Sequence, residues 1–146
     1  MPSVNTTATH KFVIVLNEKS PPGKLLSATG QLAMSLYLNA SEGQRINMSF
    51  IPFLSPNDSN LITVSTCSFV VLKGNANQLL VLYAKSTEQK LLSAIFTSTM
   101  SFNGVEEDLV HKTATTPLDQ TEPYGVGIFG SIEEINPLTK KFSVFK

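Results

Sequence analysis

Lys24 follows the loop "NEKSPPG" (17–23), which itself follows the apolar run Lys11–Leu16. That arrangement, a buried strand, a loop and then a lysine in a first helical turn, is one of the few in this chain that suggests chemistry. In open α/β sheets ligands collect in the crevice beyond the carboxyl ends of strands. A helix start also favours anions through its free N–H groups and dipole. A lysine there adds a positive charge that binds an anion or stabilises negative charge developing in a reaction. Pro21 and Pro22 lack N–H donors, so a phosphate cradle here is weaker than a glycine-rich one. Pro22, Gly23, Lys24 and Gln31, the last two on one helical stripe, are the candidate ligand-binding residues, with Thr115 from a second segment.

That second segment is "HKTATTP" (111–117). His111 could act as an acid or base, and Thr116 could position a water molecule. Lys24, His111 and Thr116 are the catalytic candidates. The bland alternatives are a solvated lysine and an exposed histidine. The chain has no Walker loop, HExxH or GxSxG. "GVGIFG" (125–130) has the spacing G-x-G-x-x-G, but it reads as a strand interior whose glycines allow close packing. Two histidines, one cysteine and scattered acids show no metal-ligand spacing, so no metal and no cofactor is expected. Cys67 lies in an apolar run and reads as a small buried residue.

The surrounding elements must place these residues. With 146 residues and 42% apolar content, the chain can build one hydrophobic core. Residues 1–10 read as a polar arm and 11–146 as one α/β domain. Charged residues make up only 15%, which leaves surface for self-association. Eleven basic residues balance eleven acidic ones, and Arg45 is the single arginine, a poor basis for gripping tRNA or any nucleic acid. The acids concentrate late, with seven in residues 106–146, beginning at Glu106-Glu107-Asp108. No apolar run is long enough to span a membrane, and the N-terminus lacks a signal-peptide pattern, so a cytoplasmic protein is expected.

Leu25, Ala28, Leu32 and Leu36 recur at helical spacing and predict a helix from Lys24. Gly30 inside it costs about 1 kcal/mol relative to Ala, which suggests a close approach by backbone or ligand. Alternation over Ile46–Phe53 predicts a strand, with Pro52 at an edge. Leu61–Lys73 reads as two strands. "NAN" (75–77) caps a helix carrying Leu79, Leu80, Tyr83, Ala84 and Thr87 on one face. Ser93–Phe102 predicts another strand. Residues 103–123 read as a long polar loop. Tyr124–Gly130 is a strand, Ser131 and Glu134 form a capping box for a helix stopped at Pro137, and "KKFSVFK" (140–146) closes as a strand. Two strand–helix–strand crossovers imply parallel neighbours, and the late strands make the sheet mixed.

The segments "KFVIVLNEKSPPGKLLSATGQLAMSL", "FVVLKGNANQLLVLYAKS" and "YGVGIFGSIEEINPLTKKFSVFK" together resemble a bacterial family, the domain of unknown function two thousand. That family is similar in fold to type II peptidyl-tRNA hydrolases, which cleave the ester between peptide and tRNA. The resemblance covers residues 11–146. It implies a three-layer α/β/α sandwich around a mixed, mostly parallel sheet of four to five strands, commonly as a dimer. The hydrolases carry a functional lysine on their first helix, and Lys24 matches it. The glutamine and histidine that follow in their motif fall here on Ala28 and Gln31. Their Arg- and Thr-rich segment corresponds to "HKTATTPLDQTEP" (111–123), which supplies Thr113, Thr115 and Thr116 but no arginine. Three readings follow: an uncharacterised protein binding a small ligand at the first strand–helix junction, a divergent hydrolase of peptidyl-tRNA or a related ester, and a homo-oligomeric interaction protein with no catalytic site.

Overall fold

A computed structural model of the chain describes residues 9–101 and 105–146. The expected arm therefore lies almost wholly outside the described residues. β1 (His10–Asn17) is followed by α1 (Pro22–Asn39), α2 (Glu42–Met48), β2 (Phe50–Leu54), β3 (Asn60–Ser65) and β4 (Ser68–Gly74). After these come α3 (Ala76–Glu88), β5 (Leu92–Thr97), α4 (Glu106–Thr115), β6 (Pro123–Ser131), α5 (Ile132–Thr139) and β7 (Ser143–Val144).

Five strands form the main sheet in the order β5-β6-β1-β4-β7. β1 and β4 pair in parallel; β6 runs antiparallel to both β1 and β5, and β7 antiparallel to β4. The sheet is mixed, as expected, but its pairings are mostly antiparallel. The reason is that β6, from late in the chain, enters between β1 and β5, so the strands following each crossover are not all neighbours.

Alternate residues of β1 point to opposite faces. Phe12, Ile14 and Leu16 pack with Leu25, Ala28, Leu32 and Leu36 of α1. Val13 and Val15 face the other side, with Leu79 and Leu82 of α3 and Ile135 of α5. Helices thus cover both faces of the sheet. Gly125 and Gly127 lie under α1: a Cβ at Gly125 would stand 2.9 Å from Leu32 Cδ1, and one at Gly127 3.0 Å from Ile14 Cδ1. The glycines of β6 let the helix lie close on the strand. Gly30, by contrast, is exposed, and a methyl placed on it would have nothing within 4 Å, so no close approach explains it.

Other segments differ from expectation: the strand expected over 93–102 ends at Thr97 and gives way to a 3-10 turn at Ser98–Met100. Residues 42–48 are helical, because Ser41 and Gln44 form a capping box that outweighs the Ile46/Met48 alternation. β2 and β3 then pair as a separate two-stranded hairpin. Within 103–123, residues 106–115 form α4, whose first turn holds Glu106, Glu107 and Asp108, the charge that a helix start favours. α5 continues through Pro137 to Thr139, and the last strand shrinks to Ser143–Val144. α3 forms as expected, but it buries Leu79, Leu82 and Ser86 and leaves Ala84 exposed.

Candidate functional site

β1 and β5 end, and β6 begins, at one edge of the sheet, since Leu16 and Phe96 both pair with Gly125. Asn17, the last residue of β1, is buried there. Its Nδ2 donates to Pro123 O at 2.9 Å, and its Oδ1 accepts from Lys19 N at 3.1 Å. These bonds tie the strand end to β6 and shape the loop before α1. Ser20 Oγ, also from that loop, donates to Glu122 Oε1 at 2.9 Å.

Lys24 is half-buried in the first turn of α1. Its Nζ donates to Ser101 Oγ at 2.5 Å, which joins α1 to the segment after β5. The partner is a neutral hydroxyl, and an ammonium has three donors. Two N–H groups therefore remain beyond this bond. Behind Ser101, the hydroxyls of Thr97 and Thr99 lie 2.9 Å apart, both buried. Thr113 of α4 reaches Thr99 Oγ1 at 2.9 Å and docks that helix against the end of β5. Burial raises the pKa of the Tyr124 phenol at this edge, and the Glu122 carboxylate adds to the rise.

The other candidates are distributed differently. Pro22 and Gly23 open α1 and are exposed beside Lys24. Gln31 is exposed on the same stripe of α1, about 10 Å further along at the helical rise. His111 is exposed on α4 and lines a shallow hollow with Glu106, Glu107, Val110 and Ala114. It lies two residues from Thr113 and so on the opposite side of the helix from the contact with Thr99. Thr115 Oγ1 donates to His111 O at 2.9 Å, and Thr116 Oγ1 to Lys112 O at 2.6 Å. Both hydroxyls turn back on their own helix. The structure thus joins Lys24 to Ser101, and it does not bring His111, Thr115 or Thr116 to Lys24. Among the described residues no group of three His, Cys, Asp or Glu side chains could hold a metal ion.

The sequence alone points to Thr113 through the family resemblance, and not to Ser20, Thr97, Thr99 or Ser101. One signal was present: "TSTMS" (97–101) carries four hydroxyls in five residues.

A second, larger concavity lies at the other end of α1. Ala33, Met34, Tyr37 and Leu38 form one wall of a groove of about 900 Å³, with Phe12 and Phe69 at its base. Phe50, Thr63, Val64 and Ser65 of the β2–β3 hairpin form the other wall. Arg45 caps this end of α1: Nε donates to Tyr37 O at 3.0 Å and Nη2 to Leu38 O at 2.8 Å, with the guanidinium 4.9 Å from the Tyr37 ring centroid. The single arginine is thereby engaged with the helix carbonyls. Among the described residues no helix is long and apolar enough to cross a membrane.

No curated protein matches the chain. A solved structure of Atu0240, a protein of unknown function from Agrobacterium tumefaciens strain C58, is similar to it with a TM-score of 0.78. The two are 14% identical, and the match covers 94% of this chain and 98% of that one, a likeness of fold. The model of one family, described as protein of unknown function (DUF2000), matches residues 10–146, and the chain belongs to that family.

Proposed function

We propose that this chain is a small-ligand-binding protein of peptidyl-tRNA hydrolase-like fold, which receives an anionic or carbonyl oxygen at the first strand–helix junction. The observation that carries this reading is the Lys24–Ser101 contact, a half-buried ammonium whose partner is an uncharged hydroxyl. An arriving oxygen gains a charge-assisted hydrogen bond, roughly twice as strong as a neutral one. Pro22 and Gly23, both exposed, stand beside Lys24 at the helix start. Titration of labelled protein with small carboxylates and phosphates, followed by amide and Lys Nζ shifts, tests the reading. Saturable shifts at Gly23, Lys24 and Ser101 that vanish in Lys24→Met support it. A broad panel that moves none of these signals defeats it.

The same ammonium favours a second reading, an ester hydrolase. Lys24 Nζ would stabilise the oxyanion that forms when water attacks the ester carbonyl, and collapse of that intermediate breaks the ester bond, the water's proton passing to the leaving alkoxide. Incubation with peptidyl-tRNA and with activated esters decides it: turnover that is lost in Lys24→Ala is required.

A further inference from the structure

The apolar groove at the far end of α1 has the size and lining of a ligand site, and its chemistry is unlike that around Lys24. Its volume of about 900 Å³ falls within the range of small-molecule pockets, roughly 300–1,000 Å³. Phe12 and Phe69 floor it with ring centroids 5.7 Å apart, and α1 and the hairpin wall it on two sides. Met34 and Leu38 on the helix wall are 61% and 73% exposed. The hydroxyls on the hairpin wall are already engaged. Thr63 Oγ1 accepts from Asn60 Nδ2 at 2.9 Å, while Ser65 Oγ donates to Met48 O and accepts from Cys67 N at 3.0 Å. Among the described residues none that lines the groove is charged. Its walls therefore suit hydrocarbon better than hydrogen-bonding groups.

One charge stands at the end of this groove. Arg45, half-buried on α2, holds the carbonyls of Tyr37 and Leu38, both wall residues, and lies against the Tyr37 ring. Those bonds use its Nε and Nη2. A guanidinium has five N–H donors in a fixed fork. The Nη1–Nη2 edge therefore keeps the paired geometry that matches a carboxylate.

From this we infer that the groove binds a fatty acid of medium chain length, with the hydrocarbon between α1 and the hairpin and the carboxylate on Arg45. The match of charge carries the choice: the groove is neutral along its length and cationic at one end, and such a molecule is apolar along its length and anionic at one end. The chain length follows from the wall. Ala33 to Leu38 covers about 7.5 Å at the helical rise, which is short for a long acyl chain. The inference does not rest on the ligand proposed at Lys24, which belongs to the other end of α1.

Titration of the isotopically labelled full chain with decanoate, decanol and acetate, below micelle-forming concentrations, is the test. It is read at the Met34 methyl and at the amides of residues 33–38 and 63–65. Decanoate should shift these signals saturably and bind about tenfold tighter than decanol, since the ion pair adds a charge-assisted contact. Acetate should leave them unmoved. Arg45→Met should bring decanoate down to the affinity of decanol. Arg45 also holds the end of α1, so circular dichroism checks that variant, and the comparison of decanoate with decanol in the wild-type chain decides if it does not fold. Met34→Glu, at an exposed position of the helix wall, should weaken both ligands at least about tenfold. Decanoate that moves only Gly23, Lys24 and Ser101 overturns the inference and leaves the reading at Lys24 standing. Equal affinity for decanol overturns it too, as do groove shifts that Met34→Glu leaves undiminished.

Discussion

Lys24 and Ser101 are 77 residues apart in sequence, yet the lysine amine donates to the serine hydroxyl at 2.5 Å. The bond joins the start of α1 to the segment leaving β5, over the edge where two strands end and a third begins. Removing it exposes no buried charge, because Lys24 can turn to water. Ser101→Ala should therefore change stability by less than about 1 kcal/mol. Ligand affinity, measured by calorimetry with any small anion that binds, should fall about tenfold or more. A larger loss of stability with unchanged affinity would make the contact purely structural.

Asn17 is the buried polar anchor of this edge. Both ends of its amide are hydrogen-bonded, to Pro123 O and Lys19 N. Asn17→Ala should cost about 1–3 kcal/mol by urea unfolding, because it leaves backbone groups unpaired inside the protein. Exchange of the Lys19 amide should speed up as well.

Two glycines should respond in opposite directions. Gly30→Ala places a methyl in open space on a helix and should stabilise by about 0.5–1 kcal/mol. Gly125→Ala places one 2.9 Å from Leu32 Cδ1 and 3.0 Å from Leu16 Cδ2, between β6 and α1. Overpacking of this kind costs about 1–3 kcal/mol. Thermal melts of the two variants would separate the effects.

Tyr124 gives the fold an alkaline limit. Its phenol is raised from the ordinary value of 10.0, first by burial and then by the Glu122 carboxylate. The folded state therefore holds the proton more tightly than the unfolded chain does. The resulting stability is fully present below pH 10.0 and is lost as pH rises through the higher folded value. Tyr124→Phe should weaken this alkaline decline, measured as Tm between about pH 9 and 11. An identical decline in the variant would assign it to other groups.

Much of the layer that supports the site was legible in the sequence. The stripe Leu25, Ala28, Leu32, Leu36 identified the buried face of α1, since helix periodicity is a local signal and all four are buried. Lys24 was placed at the helix start by the same reasoning. α2 was obscured because Ile46 and Met48 alternate like a strand, although Ser41 and Gln44 carried the capping box. α4 resembles a loop in sequence because it buries none of its residues and so has no clear apolar stripe; its acidic first turn is the helical cue. The insertion of β6 between β1 and β5, and with it the meeting of Lys24 and Ser101, is a long-range pairing with no local signature. The groove was hidden for a related reason, since α1, β2, β3 and β4 each look half-amphipathic until they are set side by side.

The position of β6 also orders events during synthesis. β1 finds β4 as soon as residue 74 is available, and that parallel pair can form early. β5 has no strand to join until residues 123–131 emerge, because β6 alone bridges it to β1. A nascent chain that stops short of residue 123 holds the β1–β4 pair and an unpaired β5, with Leu16 and Phe96 both waiting for Gly125. The two pieces therefore become one sheet only after β6 has left the ribosome, and a stall before that point exposes both of them to chaperones.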